Sequence, residues 1–201
     1  MKIFLLFMSV FTVGVLGDTH LEEWSVKYEQ GTVKISSRKT ASKYEEIKAE
    51  SDINFSMTEV SSIFGDVKAM KEWMGLLDMQ QIDDNHVYMV CDFPWPLSDR
   101  DIVGYTEEIY NADSTHITYL MTAVPDYIPA KQGLVRIQEM KGDWMINKID
   151  DSTTHVMNQF YMDLGGLPNW AVKKILVEAP IYTFQVMDSY LKGNVSPHMS
   201  N

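Results

Sequence analysis

The residue best placed to do chemistry in this sequence is an arginine at the head of an apolar strand. Arg100 stands in the run Asp92-Phe93-Pro94-Trp95-Pro96-Leu97-Ser98-Asp99-Arg100-Asp101-Ile102-Val103. The two prolines remove backbone donors and exclude a helix, so the run must join two strands. A guanidinium entering an apolar strand is either solvated at a rim or paired inside, and breaking a buried pair costs about 3–5 kcal/mol. Asp92, Asp99, Asp101 and Glu107 are the nearby carboxylates, and spacing does not choose among them. Two roles stay open: a polar end to an apolar tunnel, or an ion pair that only holds a strand start.

Other reactive groups are scattered. The sequence has no Gly-X-Ser-X-Gly, no phosphate-cradling Gly-rich loop and no His-Glu-X-X-His. Its five histidines lack metal-ligand spacing. Asp83-Asp84 and Asp150-Asp151 sit where turns are needed. Cys91, the single cysteine, lies in the strand-like Val87–Cys91 stretch, which suits a buried, inert thiol. No catalytic residue, metal or cofactor is expected.

The chain has 201 residues, 45% of them hydrophobic, enough for one domain with a substantial core. Its net charge is −11, without a basic cluster, which argues against a nucleic-acid partner. Met1-Lys2 followed by the apolar run Ile3 to Leu16 and Gly17 reads as a secretory signal peptide over residues 1–17. The run is shorter than the roughly 18–20 residues of a spanning helix. Export to a periplasm or to the exterior follows as the expectation. Residues 18–193 form the domain, and 194–201 read as a flexible tail.

Positioning Arg100 falls to a sheet. Residues 18–23 suit a short helix, Trp24–Glu29 and Val33–Arg38 a hairpin, and Tyr44–Phe55 a third strand. Ser56 or Thr58 caps a helix whose apolar residues run from Val60 to Met74, broken near Gly65. Period-two stretches follow at 79–83, 86–93, 101–110, 116–124, 134–140, 143–149 and 154–163, an antiparallel meander. Asn169 to Lys192 is helical, with Pro180 as an interior kink and Gly193 as the stop. That helix is apolar on most sides, so a curved sheet must cover it.

Such an architecture leaves an internal space lined by alternate strand residues. The 14 methionines suit either an irregular core or a pocket for mobile hydrocarbon. If the Asp150–Thr153 turn sets the register, Asn147 and Asn158 share a face with Met145, Val156, Phe160 and Met162. The other face carries Trp144, Ile146, Met157, Gln159 and Tyr161. The apolar counts nearly tie, so either face could be the concave one.

The order of elements resembles the START (StAR-related lipid transfer) domain of the helix-grip superfamily. The resemblance rests on Trp24, on the Phe93–Val103 run, on Gly142-Asp143-Trp144, and on Asp163-Leu164-Gly165-Gly166-Leu167-Pro168-Asn169-Trp170. It spans about Trp24 to Lys192, with Leu164 departing from a frequent proline. It implies an α+β helix-grip fold, a curved antiparallel sheet around a long C-terminal helix with an internal apolar tunnel. The implied function is non-catalytic binding or transfer of a hydrophobic lipid (sterol, phospholipid or fatty acid) by a monomer in transient contact with membranes. Candidate ligand contacts are Arg100, Trp73, Met89, Asn147, Asn158, Tyr161, Trp170 and Tyr182. The alternative on the same fold is a cyclase or aromatase acting on a polyketide-like substrate. Lid motion is expected of the kinked helix or of the loop around Tyr127-Ile128-Pro129.

Overall fold

The computed structural model describes residues 22–40, 44–164 and 166–193. The expected leader, the start of the 18–23 helix and the expected tail lie outside the described residues. The strands are β1 (Ser25–Gln30), β2 (Val33–Lys39), β3 (Glu45–Ile53), β4 (Asp78–Gln81), β5 (His86–Cys91), β6 (Arg100–Tyr110), β7 (His116–Ala123), β8 (Val135–Arg136), β9 (Met140–Lys148) and β10 (Thr154–Met162). They make one sheet in the order β1-β2-β3-β10-β9-β7-β6-β5-β4. Every neighbour on that path is antiparallel, as short turns between sequential strands require.

Two short helices cross from β3 to β4. The first, α1 (Met57–Ser62), begins with a capping box in which Ser56 and Glu59 satisfy each other's backbone donors. The second, α2 (Val67–Trp73), is capped by the Asp66 side chain, which accepts from the amides of Lys68 and Ala69. This new cap, just after Gly65, is the physical reason the amphipathic stretch divides.

The C-terminal helix runs as α3 (Asn169–Lys173), a π-helical turn (Lys174–Glu178) and α4 (Ala179–Leu191). Pro180 cannot donate, and its ring would press on the carbonyl four residues back. The chain widens by one residue just before it: the Ala179 amide donates to the Lys174 carbonyl, five residues back. The helix then continues to Leu191 and buries Phe184, Val186 and Met187.

Two sequence expectations need correction. Within the 134–140 stretch only β8 and Met140, where β9 begins, are strand, and β8 pairs parallel with β6 through Arg100↔Val135 and Asp101↔Arg136. The β9–β10 register also differs from the expected one. Lys148 faces Thr154 across the turn, so Ile146 pairs with Val156 and Trp144 with Asn158. A one-residue slip moves a whole side-chain set to the other face. Asn147 and Asn158 therefore lie on opposite faces; Asn158, Phe160 and Met162 share the concave face with Gly142, Trp144 and Ile146.

Candidate ligand cavity

Period-two geometry assembles the site row by row. On β6, Arg100, Ile102, Gly104, Thr106 and Glu108 all face the C-terminal helix. Pairing carries each row across the sheet. Arg100 sits beside Cys91, Ile102 beside Met89, and Met89 beside Met79. Thr106 leads to Met121, Gly142 and Phe160. Glu108 leads to Tyr119, Trp144, Asn158 and Ala49. The next row, Ile117, Ile146 and Val156, is buried solid core.

Between these rows and the C-terminal helix lies a cavity of about 910 Å³. This is near the top of the roughly 300–1,000 Å³ range of ligand pockets. Val67, Met70 and Met74 of α2 close one side, and Lys174, Ile175, Glu178, Pro180, Tyr182 and Phe184 form the roof. The π-helical turn thus lies directly over the space. Seven methionines line the wall: Met70, Met74, Met79, Met89, Met121, Met140 and Met162. The opposite half is aromatic. Phe64 stacks on Tyr119 at 5.0 Å between ring centres and meets Trp144 at 5.5 Å, and Trp144 meets Phe184 at 6.0 Å.

Polar groups mark the two ends. At one, the Arg100 guanidinium lies 4.3 Å above the Phe93 ring and donates to the Ser98 carbonyl. Partial burial pulls its pKa below the ordinary value, and the charge of Asp99 opposes that shift. Arg100 and Lys174 are the two cations of the described wall. At the other end, Tyr110 donates to the Glu108 carboxylate, and Tyr119 is the cross-strand neighbour of Glu108. Burial, then Glu108, raises the Tyr119 pKa. The Cys91 thiol is pushed up to about 12, first by burial and then by Asp101 and Asp99, so it stays protonated.

Of the eight candidate contacts, Arg100, Met89, Asn158 and Tyr182 lie in the cavity wall. The other four lie outside it. Trp73 is fully buried behind the wall, its indole donating to the Ile63 carbonyl at 3.1 Å. Asn147 is on the convex face, where its side chain bonds His116. Tyr161 also falls on that face and stacks on Tyr44 at 5.9 Å. Trp170 is half exposed on the first turn of α3. Glu108 and Tyr119 were not among the candidates. Counting in twos from Arg100 along one strand reaches Glu108, a signal already present in the sequence.

The buried arginine of the chain is Arg136. Its Nε and Nη2 donate to the two carboxylate oxygens of Asp101 at 3.0 and 2.8 Å. Its remaining donors reach the carbonyls of Pro125, Ile128 and Pro129. All five guanidinium N–H groups are therefore used. Asp101 points away from the cavity, so this pair fastens the 124–136 loop onto the convex face. Tyr127 adds a bond to Asp83 and a stack on His86 at 3.7 Å. The Tyr127–Pro129 loop is absent from the cavity wall, whereas the kinked helix forms its roof.

No protein-family model matches the chain. It is similar to an uncharacterized protein of Pseudomonas aeruginosa, PA1579, at 30% identity over 184 residues, covering 88% of this chain and 90% of that protein. Among solved structures it is similar to a STAR-related lipid transfer protein from Xanthomonas axonopodis, fragment 25–204. That match has a TM-score of 0.74 and 28% identity, and covers 85% of this chain and 99% of the other. The fold also matches human StAR-related lipid transfer protein 5, with a TM-score of 0.72 at 19% identity, over 85% of this chain and 86% of that one. The chain belongs to one family with PA1579, and its architecture is the START helix-grip fold.

Proposed function

We propose that this protein binds a lipid in the cavity beneath its C-terminal helix and carries it between membranes, without catalysing a reaction on it. The observation that supports this most is the cavity itself: a mostly apolar space of about 910 Å³ with Arg100 in its wall. Each methylene moved from water into such a space contributes about 0.8 kcal/mol. Affinity then needs only shape and a polar anchor, and Arg100 with Lys174 suits an anionic headgroup at the end where the helix begins.

That end also suits transient contact with a bilayer. The 92–99 loop and the chain entering α3 leave the sheet on the same side, because Cys91↔Arg100 and Met162↔Met140 are the terminal pairs there. Trp95 is 87% exposed on the first of these and Trp170 50% exposed on the second. Tryptophan favours the interface between water and hydrocarbon. Export after Gly17 belongs to the same proposal.

The test is lipid transfer between donor and acceptor vesicles. The W95A/W170A variant should bind lipid from micelles as tightly as the unaltered protein and transfer it at least about tenfold more slowly, as loss of two interfacial indoles implies. Equal transfer rates would remove the docking role. Failure of the unaltered protein to bind or move any lipid would remove the carrier.

A further inference from the structure

The cavity wall divides into two materials. Its aromatic half is packed ring on ring, from Phe64 through Trp144 to Phe184, and has little freedom. Its other half carries seven of the chain's 14 methionines, set among Leu76, Val87, Ile102 and Ile137. Methionine combines three rotatable bonds with a polarizable thioether, so it fills irregular space and refits to a changing neighbour.

The backbone beside these side chains is arranged to leave them room. A Cβ at Gly104 would meet Met121 Cγ and Sδ at 2.8 Å. A Cβ at Gly142, the cross-strand partner of Met121, would meet Phe160 Cβ at 2.7 Å. Glycine at 104 thus leaves room for Met121, and glycine at 142 leaves room for Phe160, both of the cavity wall. The solid core nearby is different: Ile35, Ile47, Ile146 and Val156 are β-branched, stiff and fully buried.

A rigid fused-ring ligand is held best by a rigid, pre-shaped slot, because a mobile wall must lose its rotamer freedom to match a fixed outline. A flexible hydrocarbon chain asks for less, since chain and wall can both keep moving. We propose that the cavity takes lipids with flexible acyl chains, seated against the methionine wall, and discriminates against fused-ring sterols. This rests on the reading of the cavity as a lipid site and names the class of lipid it accepts.

The experiment is a displacement titration of the purified, delipidated protein with saturated fatty acids from decanoate to stearate, with oleate, and with cholesterol. The proposal expects Kd to fall by about fourfold for each added methylene, without a sharp optimum. It expects oleate to bind at least about tenfold more tightly than cholesterol, a difference well above the scatter of a single contact. An M89I/M121I variant keeps side-chain volume but stiffens two strand positions. It should retain its melting temperature and show a shallower fall of Kd from decanoate to stearate. Cholesterol binding as tightly as oleate would overturn the acyl-chain assignment while leaving a lipid site intact. An unchanged chain-length profile in a folded M89I/M121I variant would overturn the role of the methionines. Absence of binding by every probe would instead overturn the lipid site itself.

Discussion

Asp101 and Arg136 form a buried two-point ion pair on the convex side of the sheet, one residue along β6 from Arg100, which faces the cavity. The alternation of a strand thus separates two jobs that the sequence places side by side. One charged group holds the scaffold closed, and the next stands in the cavity wall. Tyr88 packs beside the pair, and burial together with Asp101 raises its pKa to about 12.

Removing only one member of this pair strands the other in a poor solvent. R136M should lower unfolding free energy by about 3–5 kcal/mol. The double variant R136M/D101L should recover most of that loss, because the uncompensated carboxylate is gone. Urea unfolding followed by fluorescence checks both. A single variant as stable as the parent would contradict the burial described here.

Gly142 is fixed by contact rather than by backbone angle. A Cβ there would meet Phe160 Cβ at 2.7 Å and the Gln159 carbonyl oxygen at 3.1 Å. The neighbouring backbone cannot step aside cheaply, so G142A should destabilise the protein by about 1–3 kcal/mol. Thermal melting would show it.

Asp143 supplies a pH test. It is half-buried on the convex face, and burial, followed by the charge of Glu46, raises its carboxyl pKa above the ordinary value of 3.8. The folded state therefore holds this proton more tightly than the unfolded chain, and stability from this group is lost as pH rises through the raised value. D143N should melt higher than the parent at neutral pH, and the gap should close as pH falls towards 3.8. A gap that widened on acidification would reverse the assigned sign.

N-terminal sequencing of the protein recovered from a secreting host should read from Asp18. A first residue of Met1 would contradict cleavage after Gly17.

Much of this fold was legible in period alone. The alternation in β5, β6 and β7, the turn residues between them and the nearly all-round apolarity of the last helix demand a sheet gripping a helix. The register of β9 on β10 was not legible, because both faces of that hairpin carry similar apolar content. The turn geometry decided it, through Lys148 meeting Thr154. Arg136 escaped because its partner lies 35 residues away in sequence, across a loop without regular structure. It carried the same signal as Arg100, a charge inside the apolar run Leu134–Ile137. The π-helical turn was foreshadowed by Pro180, but sequence does not distinguish a kink from a widened turn.

The central claim is that the space under the C-terminal helix holds a lipid. Native mass spectrometry of the protein purified without detergent measures this directly, alongside M121W, which fills the cavity floor. The account predicts adducts of lipid mass on the parent, released by organic extraction, and their loss from a folded M121W. A parent that is folded and free of adducts after exposure to lipid vesicles, or adducts that survive in M121W, would contradict it.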